Sequence, residues 1–450
     1  MPTERLAIDG GAPVRTRPFS GPTHDFGEDD IAALAEVIHT GNIGKGPKVR
    51  QFEDEFARKI GVTHCVTVSS GSAAMHTCIG AINPDPGDEI IVTPWTSGGS
   101  LIGALLHNCV PVFADIDDTF TLDPSDVERK ITPRTRAIIA VHLYGNPCNM
   151  TALREIADRH RIFLIEDCCQ AHFAQFQGQT VGTMGDIAGF SFGGKHLSAG
   201  MGGAVLTNDP VLWERAVLFS DAALPRNPGP YAGRPYANYF LAPNYRINDL
   251  IGAILLNQLK KVDGYIERKI WAADCLNAGL SAIPEITLQR VRPGDRHTYW
   301  SYGFTLDTTA LGVDAWTFAT MVNEEGIPLS GPYVGSGKEG PLYRNPFLAE
   351  PNLYGRSRFP LDYQREKPID YRHAAATCPN GEAMMVRNCN ISMRPSFTEE
   401  DLHDVIAAVT KVVVACRERQ REKTTPGVLG SPDLEHVAEL ATGQFARTAH

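Results

Sequence analysis

The chain predicts an α/β fold: a large domain built on a mostly parallel sheet with helices on both faces, then a smaller α+β domain at the C-terminal end. Three observations carry this expectation. Between residues 64 and 207 short apolar runs alternate with helix-periodic stretches, at the spacing of strand–helix–strand units. The residues of chemical interest come directly after the apolar runs, where ligands sit in such sheets. A long helical pattern from Asn248 to about Lys269 then separates this region from one with fewer strand patterns and a strong amphipathic helix.

The elements follow in chain order. The first thirty residues are rich in Gly, Pro and Thr and read as an extended arm. Glu28-Asp29-Asp30 opens a helix through Ile31, Leu34, Val37 and Ile38, and Phe52, Phe56 and Ile60 mark a second. Strands are expected at His64–Val68, Glu89–Val92, Val110–Ile116, Arg136–Leu143, Ile162–Glu166, Ile187–Phe192 and Ala204–Thr207. Helices between them run through Met75, Cys78 and Ile79, over Leu101–Leu106, over Asp123–Lys130 and over Ala152–Arg159. The long helix carries Leu250, Ile251, Ile254, Leu255, Leu259, Val262 and Ile266 on its apolar face. Strands near Tyr302–Leu306 and Asn390–Met393, and a helix over Glu399–Cys416, build the smaller domain. After Arg417 periodicity is lost, and a mobile tail is expected. The division is therefore an arm over 1–30, a large domain over 31–260, a small domain over 261–418 and a tail over 419–450.

Bulk properties exclude several function classes. Of 450 residues, 43% are hydrophobic and 21% charged, and the net charge is −10. No basic patch or appended DNA-binding segment stands out, so nucleic acid is not an expected partner. No apolar run approaches the ~18 residues of a membrane helix, and the N-terminus lacks a signal-peptide core. The ten cysteines are scattered with no CxxC pair. They read as reduced, packed as small apolar residues, in a cytoplasmic protein, with no metal site expected. The glycines of "GNIGKG" (41–46) follow no strand and lack the dinucleotide-binding spacing, which argues against a nicotinamide enzyme.

Four local signals fall in the order that a phosphate-bearing aldehyde cofactor needs. Ser70-Gly71-Ser72 follows a strand and opens a helix, where free amides and the helix dipole favour an anion; read alone it is equally a helix cap. Glu166-Asp167 ends an apolar strand. Asp167 suits a partner for a pyridine nitrogen, or else a helix cap or salt bridge. Gln170 and His172 come just after, and His172 reads as a packed histidine. Ser191-Phe192-Gly193-Gly194-Lys195-His196 places a lysine among glycines after a buried strand. Burial and neighbouring cations lower a lysine's pKa and make its amine nucleophilic. Ser191 is suited to bond a phosphate, while His196 reads as positional. The fourth signal, Asn244-Tyr245-Arg246-Ile247-Asn248-Asp249, precedes the long helix, which Asn248 caps on the simplest reading.

With these pieces in place, the chain resembles the DegT/DnrJ/StrS sugar-aminotransferase family of fold-type-I pyridoxal-phosphate enzymes. The run from Glu166 to Asp209, "TGNIGKGPKVRQFEDEFA" (40–57), "SSGSAAMH" (69–76), "VHLYGNP" (141–147) and "NYRINDLIGAILLNQLKKV" (244–262) match its blocks in order, over roughly residues 6–415. The resemblance implies a seven-stranded sheet and pyridoxal 5'-phosphate as cofactor. It implies Lys195 as the lysine that joins the cofactor aldehyde and shuttles the proton, and Asp167 beside the pyridine nitrogen. Gln170 would lie near the ring hydroxyl, and Gly71, Ser72 and Ser191 would hold the phosphate. Asn244 would reach the phosphate of a partner subunit, in a homodimer with shared active sites.

The family places an aromatic residue after its Pro-x-x-Thr turn, stacked on the ring. Here Pro94-Trp95-Thr96 is followed by Ser97, and Trp95 is the candidate to take over. Gly335–Phe347, with "PLYRNPF", and the leading "LAIDGGAPVRTRPF" resemble members that aminate cyclitols or aminoglycoside precursors. The expected reaction moves an amino group from glutamate or glutamine to a keto-sugar or keto-cyclitol. Arg246 and Arg394 are candidates for the donor carboxylate, and His297, Tyr333 and Tyr343 for the acceptor. The alternatives are a dehydratase or epimerase on a similar sugar, and a non-catalytic cofactor-binding regulator. Relatives that act as dehydratases replace the lysine by histidine, whereas Lys195 is retained here.

Overall fold

A computed structural model describes residues 4–19, 21–226, 233–333, 340–350 and 353–424. In chain order the larger unit contains α1 (Glu28–His39), α2 (Pro47–Ile60), β1 (His64–Val68), α3 (Gly71–Ile82), β2 (Glu89–Val92), α4 (Gly99–Leu106), β3 (Val110–Phe113), α5 (Pro124–Lys130), β4 (Thr135–Val141), α6 (Met150–His160) and β5 (Phe163–Asp167). A hairpin of β6 (Gln175–Phe176) and β7 (Gln179–Thr180), then β8 (Ile187–Ser191), β9 (Gly203–Thr207) and α7 (Pro210–Phe219) complete it. One sheet of seven strands runs in the order β1-β9-β8-β5-β4-β2-β3. β9 is antiparallel to both neighbours, and the pairs from β8 to β3 are all parallel. The two cores on either side hold the side chains that alternate along these strands, such as Ile139 on one side and Ile138 and Ala140 on the other.

α8 (Asp249–Leu280) is a single helix of 32 residues. Its start is locked to α2: the Asp249 carboxylate accepts from the Gly46 and Val49 amides at 2.9 and 3.0 Å. The buried stripe Val49, Phe52, Phe56 and Ile60 of α2 packs in one core with Leu255, Leu259 and Val262 of α8. The boundary expected at residue 260 falls inside this helix, because an apolar face that serves both units gives the chain no reason to break there.

Beyond α8 come β10 (Ile286–Leu288), β11 (Ser301–Leu306), α9 (Thr308–Leu311), α10 (Ala315–Glu324), α11 (Pro346–Ala349), α12 (Pro379–Arg387), β12 (Asn388–Ser392) and α13 (Glu399–Thr424). The three strands form a separate antiparallel sheet, with Tyr302 opposite Ile391. The N-terminal arm folds onto this unit: Leu6 is part of its core, and buried Arg15 pairs with Asp401 and Asp404, each at 2.6 Å. α13 continues seven residues beyond Arg417, so the expected loss of structure at 419 does not occur there; residues 425–450 lie outside the described residues. The ten cysteines are all free thiols. Among the described residues no helix is long and apolar enough to cross a membrane.

Candidate active site

The loops that follow β1, β5 and β8 meet at the edge of the sheet where these strands end, beyond their carboxyl ends. β1 leads to Ser70, whose Oγ accepts from the Ala73 amide at 3.1 Å and caps α3. A cap uses one of the four amides that a helix start leaves without an intrahelical acceptor. The amides of Gly71 and Ser72 keep the anion-binding character of the helix start. Gly71 has to be glycine: a Cβ there would stand 2.6 Å from the Cβ of Ser191 and 2.9 Å from its Oγ. Ser72 is exposed beside Gly99, at the start of α4.

β5 ends in two carboxylates whose side chains alternate across the sheet. Glu166 is fully enclosed. It accepts from the Gly182, Met184 and Gly185 amides at 2.6–2.8 Å and from His142 Nε2 at 3.1 Å. Burial pushes its pKa up, but the His142 ring and these amides outweigh burial and hold it below the usual value. His142, Glu166 and Cys168 lie together as possible metal ligands, yet Glu166 already takes four protein donors, so this group acts as a clamp that fixes the end of β5.

Asp167 faces the other way and is 4% exposed. One oxygen accepts from the Ser100 hydroxyl at 2.6 Å and the other from the Cys169 amide at 3.0 Å. A buried carboxylate is costly without a positive partner, and no lysine, arginine or histidine among the described residues forms an ion pair with it. A protonated ring nitrogen fits that need.

The lysine lies four residues after the end of β8. Lys195 Nζ stands 3.6 Å from the centroid of the Trp300 ring, and Trp300 Nε1 donates to the Gly194 carbonyl at 3.1 Å. The ring of His24, from the arm, bonds the Lys195 carbonyl. Burial pushes the amine's pKa below its ordinary 10.5, and Cys169 and Asp167 oppose that shift, which puts all three groups within electrostatic reach of one another. Gln170 accepts from the Tyr144 amide at 2.9 Å and donates to the Tyr333 hydroxyl at 3.0 Å. Burial pushes the Tyr333 hydroxyl up to about 12, so it stays neutral, and its ring meets Trp300 edge-on at 6.0 Å. Tyr144 itself holds φ at +61°, a strained conformation of the sort that gathers at functional sites.

Lys195, Asp167, Gln170, Ser191, Gly71, Ser72 and Tyr333 are thus gathered around the same loops. Other expectations need correction. Trp95 is 1% exposed, enclosed by Ile116, Phe120, Leu143 and Tyr144, and has no free face to stack on a ring. Tyr343 is buried against Phe113 with its hydroxyl on Glu382, so it does not line an open acceptor site. His297 is stacked on Tyr299 at 3.7 Å, with one nitrogen on Gln289 and the other accepting the Tyr299 amide. Burial pushes its pKa down to about 3, and it is a neutral packing residue.

Asn244 is exposed and accepts from Arg246, whose guanidinium also pairs with Asp221 at 3.0 Å. That pairing leaves Arg246 poorly placed to serve a donor carboxylate in the same chain. Arg394 follows Met393, whose amide bonds the Trp300 carbonyl, so it borders the lysine's surroundings. Gly335 lies outside the described residues. Sequence reasoning missed Trp300 and Ser100. No spacing rule marks either one, since β11 and α4 bring them in from elsewhere in the chain.

A helix-start anion cradle, a buried carboxylate without a cation and a half-buried lysine, at one edge of a mostly parallel sheet, define a pyridoxal-phosphate-dependent aminotransferase of fold type I. The chain belongs to the DegT/DnrJ/EryC1/StrS aminotransferase family, whose model matches residues 24–410. It is 36% identical over 435 residues to the L-glutamine:2-deoxy-scyllo-inosose aminotransferase of Streptomyces kanamyceticus, covering 92% of this chain and 98% of that protein. The GDP-perosamine synthase of Vibrio cholerae is 35% identical over 277 residues, 61% of this chain and 74% of that one. Among solved structures, 3-amino-5-hydroxybenzoic acid synthase superposes with a TM-score of 0.76 at 26% identity, over 90% of this chain and all of its own.

Proposed function

We propose that this enzyme moves an amino group from glutamine or glutamate to the keto group of a cyclitol or sugar, within the biosynthesis of an aminoglycoside-type secondary metabolite. The observation that supports amination over dehydration is the amine itself: Lys195 is half-buried, its Nζ held against Trp300 and within electrostatic reach of Asp167. The similarity to the scyllo-inosose aminotransferase over nearly the whole of both chains supports the cyclitol class. When bound, pyridoxal phosphate supplies an aldehyde and an electron-accepting ring.

The chain supplies placement and proton transfer. Gly71, Ser72 and Ser191 hold the phosphate, Asp167 keeps the ring nitrogen protonated, and Gln170 with Tyr333 borders the ring. Lys195 Nζ takes and returns the proton at the substrate carbon, and a base positioned in this way typically contributes ~10²–10⁴-fold to rate. Arg394 is the remaining candidate for the donor carboxylate. The active enzyme is a homodimer in the cytoplasm, with Asn244 completing the partner's phosphate site. Exposed Asn244 and the exposed apolar side chains Ile102, Leu106, Met201 and Leu241 support that assembly.

The test is a screen of keto-cyclitols and nucleotide-linked keto-sugars with glutamine or glutamate labelled at the α-nitrogen. The expected product gains the labelled amine. A product that has lost water and carries no label would replace this reading with the dehydratase.

A further inference from the structure

The free amine of Lys195 has a prepared resting place. Its Nζ stands over the face of the Trp300 indole, 3.6 Å from the ring centroid. An ammonium there meets the negative side of the ring's quadrupole, and tryptophan offers the strongest such face. Several contacts fix the indole. Its Nε1 donates to the carbonyl of Gly194, the residue before the lysine, at 3.1 Å. The Trp300 amide donates to the Tyr144 carbonyl at 2.7 Å, and the Trp300 carbonyl accepts from the Met393 amide at 3.3 Å. Tyr333 meets the ring edge-on at 6.0 Å. The carbonyl of Lys195 itself is bonded by the His24 ring of the arm. The peptide carbonyls on both sides of the lysine are thus tied by side chains from distant parts of the chain.

Lys195 is a free amine whenever the substrate takes its place on the cofactor, and only then can it carry a proton. Burial pushes an amine toward the neutral form. Lys269 of α8 shows what burial, with the charge of Lys195 added, does to an amine in this fold. It is 4% exposed, with no ion pair, hydrogen bond or aromatic face on its amine among the described residues, and its pKa falls to about 7. We propose that Trp300 is a positioning residue for the proton carrier: its indole face seats the Lys195 amine in the protonated form, between taking the proton from the substrate carbon and returning it. The inference rests on Lys195 being the lysine that moves the proton. Asp167 and Cys169 after β5, Lys269 of α8, His172 and His196 also interact with the charge of this amine, and all stay in place when the indole alone is altered.

The full-length apo protein tests the seat without any cofactor. Labelling of Lys195 by acetic anhydride, relative to an exposed lysine and read by mass spectrometry across pH, gives the titration midpoint of the amine. An aromatic face favours the charged form, so its loss lowers the midpoint. Trp300→Leu is expected to lower it by about 0.5–1 unit, about three- to tenfold in the ionisation constant. Trp300→Phe, which keeps a ring face but not the Nε1 bond, is expected to recover at least half of that shift. Leucine also admits water, which raises the midpoint. A midpoint in Trp300→Leu at or above that of the wild type overturns the proposal, as does an equal fall in Trp300→Phe. If circular dichroism shows that the leucine variant does not fold, a trifluorinated tryptophan at position 300 decides: it keeps the shape and weakens the face, and an unchanged midpoint overturns the proposal. In the loaded enzyme, exchange of the donor's α-hydrogen with solvent deuterium is expected to slow by about tenfold in Trp300→Leu. Exchange at the wild-type rate in that variant overturns the role in proton transfer. No exchange in the wild type with either glutamine or glutamate would instead overturn the reading as an aminotransferase, and the midpoint shift would stand.

Discussion

Replacing Gly71 by alanine puts a methyl group 2.6 Å from Ser191 Cβ, 2.9 Å from its Oγ and 3.1 Å from Cys169 Sγ. Carbon atoms in contact stand ~3.5–4.0 Å apart, so the start of α3 has to retreat by about 1 Å. Overpacking of this size costs ~1–3 kcal/mol. The better helix propensity of alanine offsets at most ~1 kcal/mol of it. The expected net loss is therefore about 1–2 kcal/mol of stability. The retreat carries the Gly71 and Ser72 amides with it, so cofactor affinity is expected to fall by about tenfold, equivalent to ~1.4 kcal/mol.

Urea melts of the apo protein and absorbance titrations with pyridoxal phosphate measure the two effects. The Ser191→Gly background isolates the cause, because it removes the nearest obstructing atom. There the stability cost of Gly71→Ala is expected to shrink by about 1 kcal/mol, a coupling typical of touching residues. An equal cost in both backgrounds, or none in either, would refute the argument that close approach to Ser191 is what demands glycine.

Two further outcomes are expected. Asp167→Asn keeps the shape but removes the charge that the Ser100 hydroxyl and the Cys169 amide now hold; hydrogen bonds to charged groups are worth ~1.5–3 kcal/mol. Turnover is expected to drop by about 10–100-fold with the fold intact, and single-turnover kinetics would show whether it does. The apo protein's rate of cofactor loading is expected to rise with pH and level off below pH 10.5, because the neutral amine is the nucleophile and burial lowers the Lys195 pKa from that value. In the window between the lowered pKa and 10.5 the unfolded chain binds more protons, so stability should also rise with pH there. A loading midpoint at or above 10.5 would contradict the burial argument.

The seven-stranded sheet was legible because its strands are apolar runs separated by helix patterns, and the runs at 64–68 and 89–92 have the same bounds in the structure. The β6–β7 hairpin was not legible, since its two-residue strands carry no periodicity. β10, with three residues, is too short to show a period as well. The arm read as loose because Gly and Pro dominate it, yet the fold buries Leu6 in the core of the smaller unit and ties Arg15 to Asp401, 386 residues away.

In the site, residues next to strand ends could be picked out by the rule that ligands sit there, which located Gly71, Asp167 and Lys195. The aromatic residues could not be ranked from sequence. Trp95 and Trp300 are both tryptophans near turns, and only the packing places one in the core and the other under the lysine amine. Lys269 read as an ordinary position of a long helix, because its burial depends on what α8 packs against.

The central claim is that Lys195 is the amine that binds the cofactor. Full-length protein incubated with pyridoxal phosphate, reduced with borohydride and digested should yield one modified peptide by mass spectrometry. The account predicts the adduct on Lys195 and none on Lys269, with no visible absorbance band in Lys195→Ala. An adduct confined to any other lysine, or an unchanged band in that variant, would contradict it.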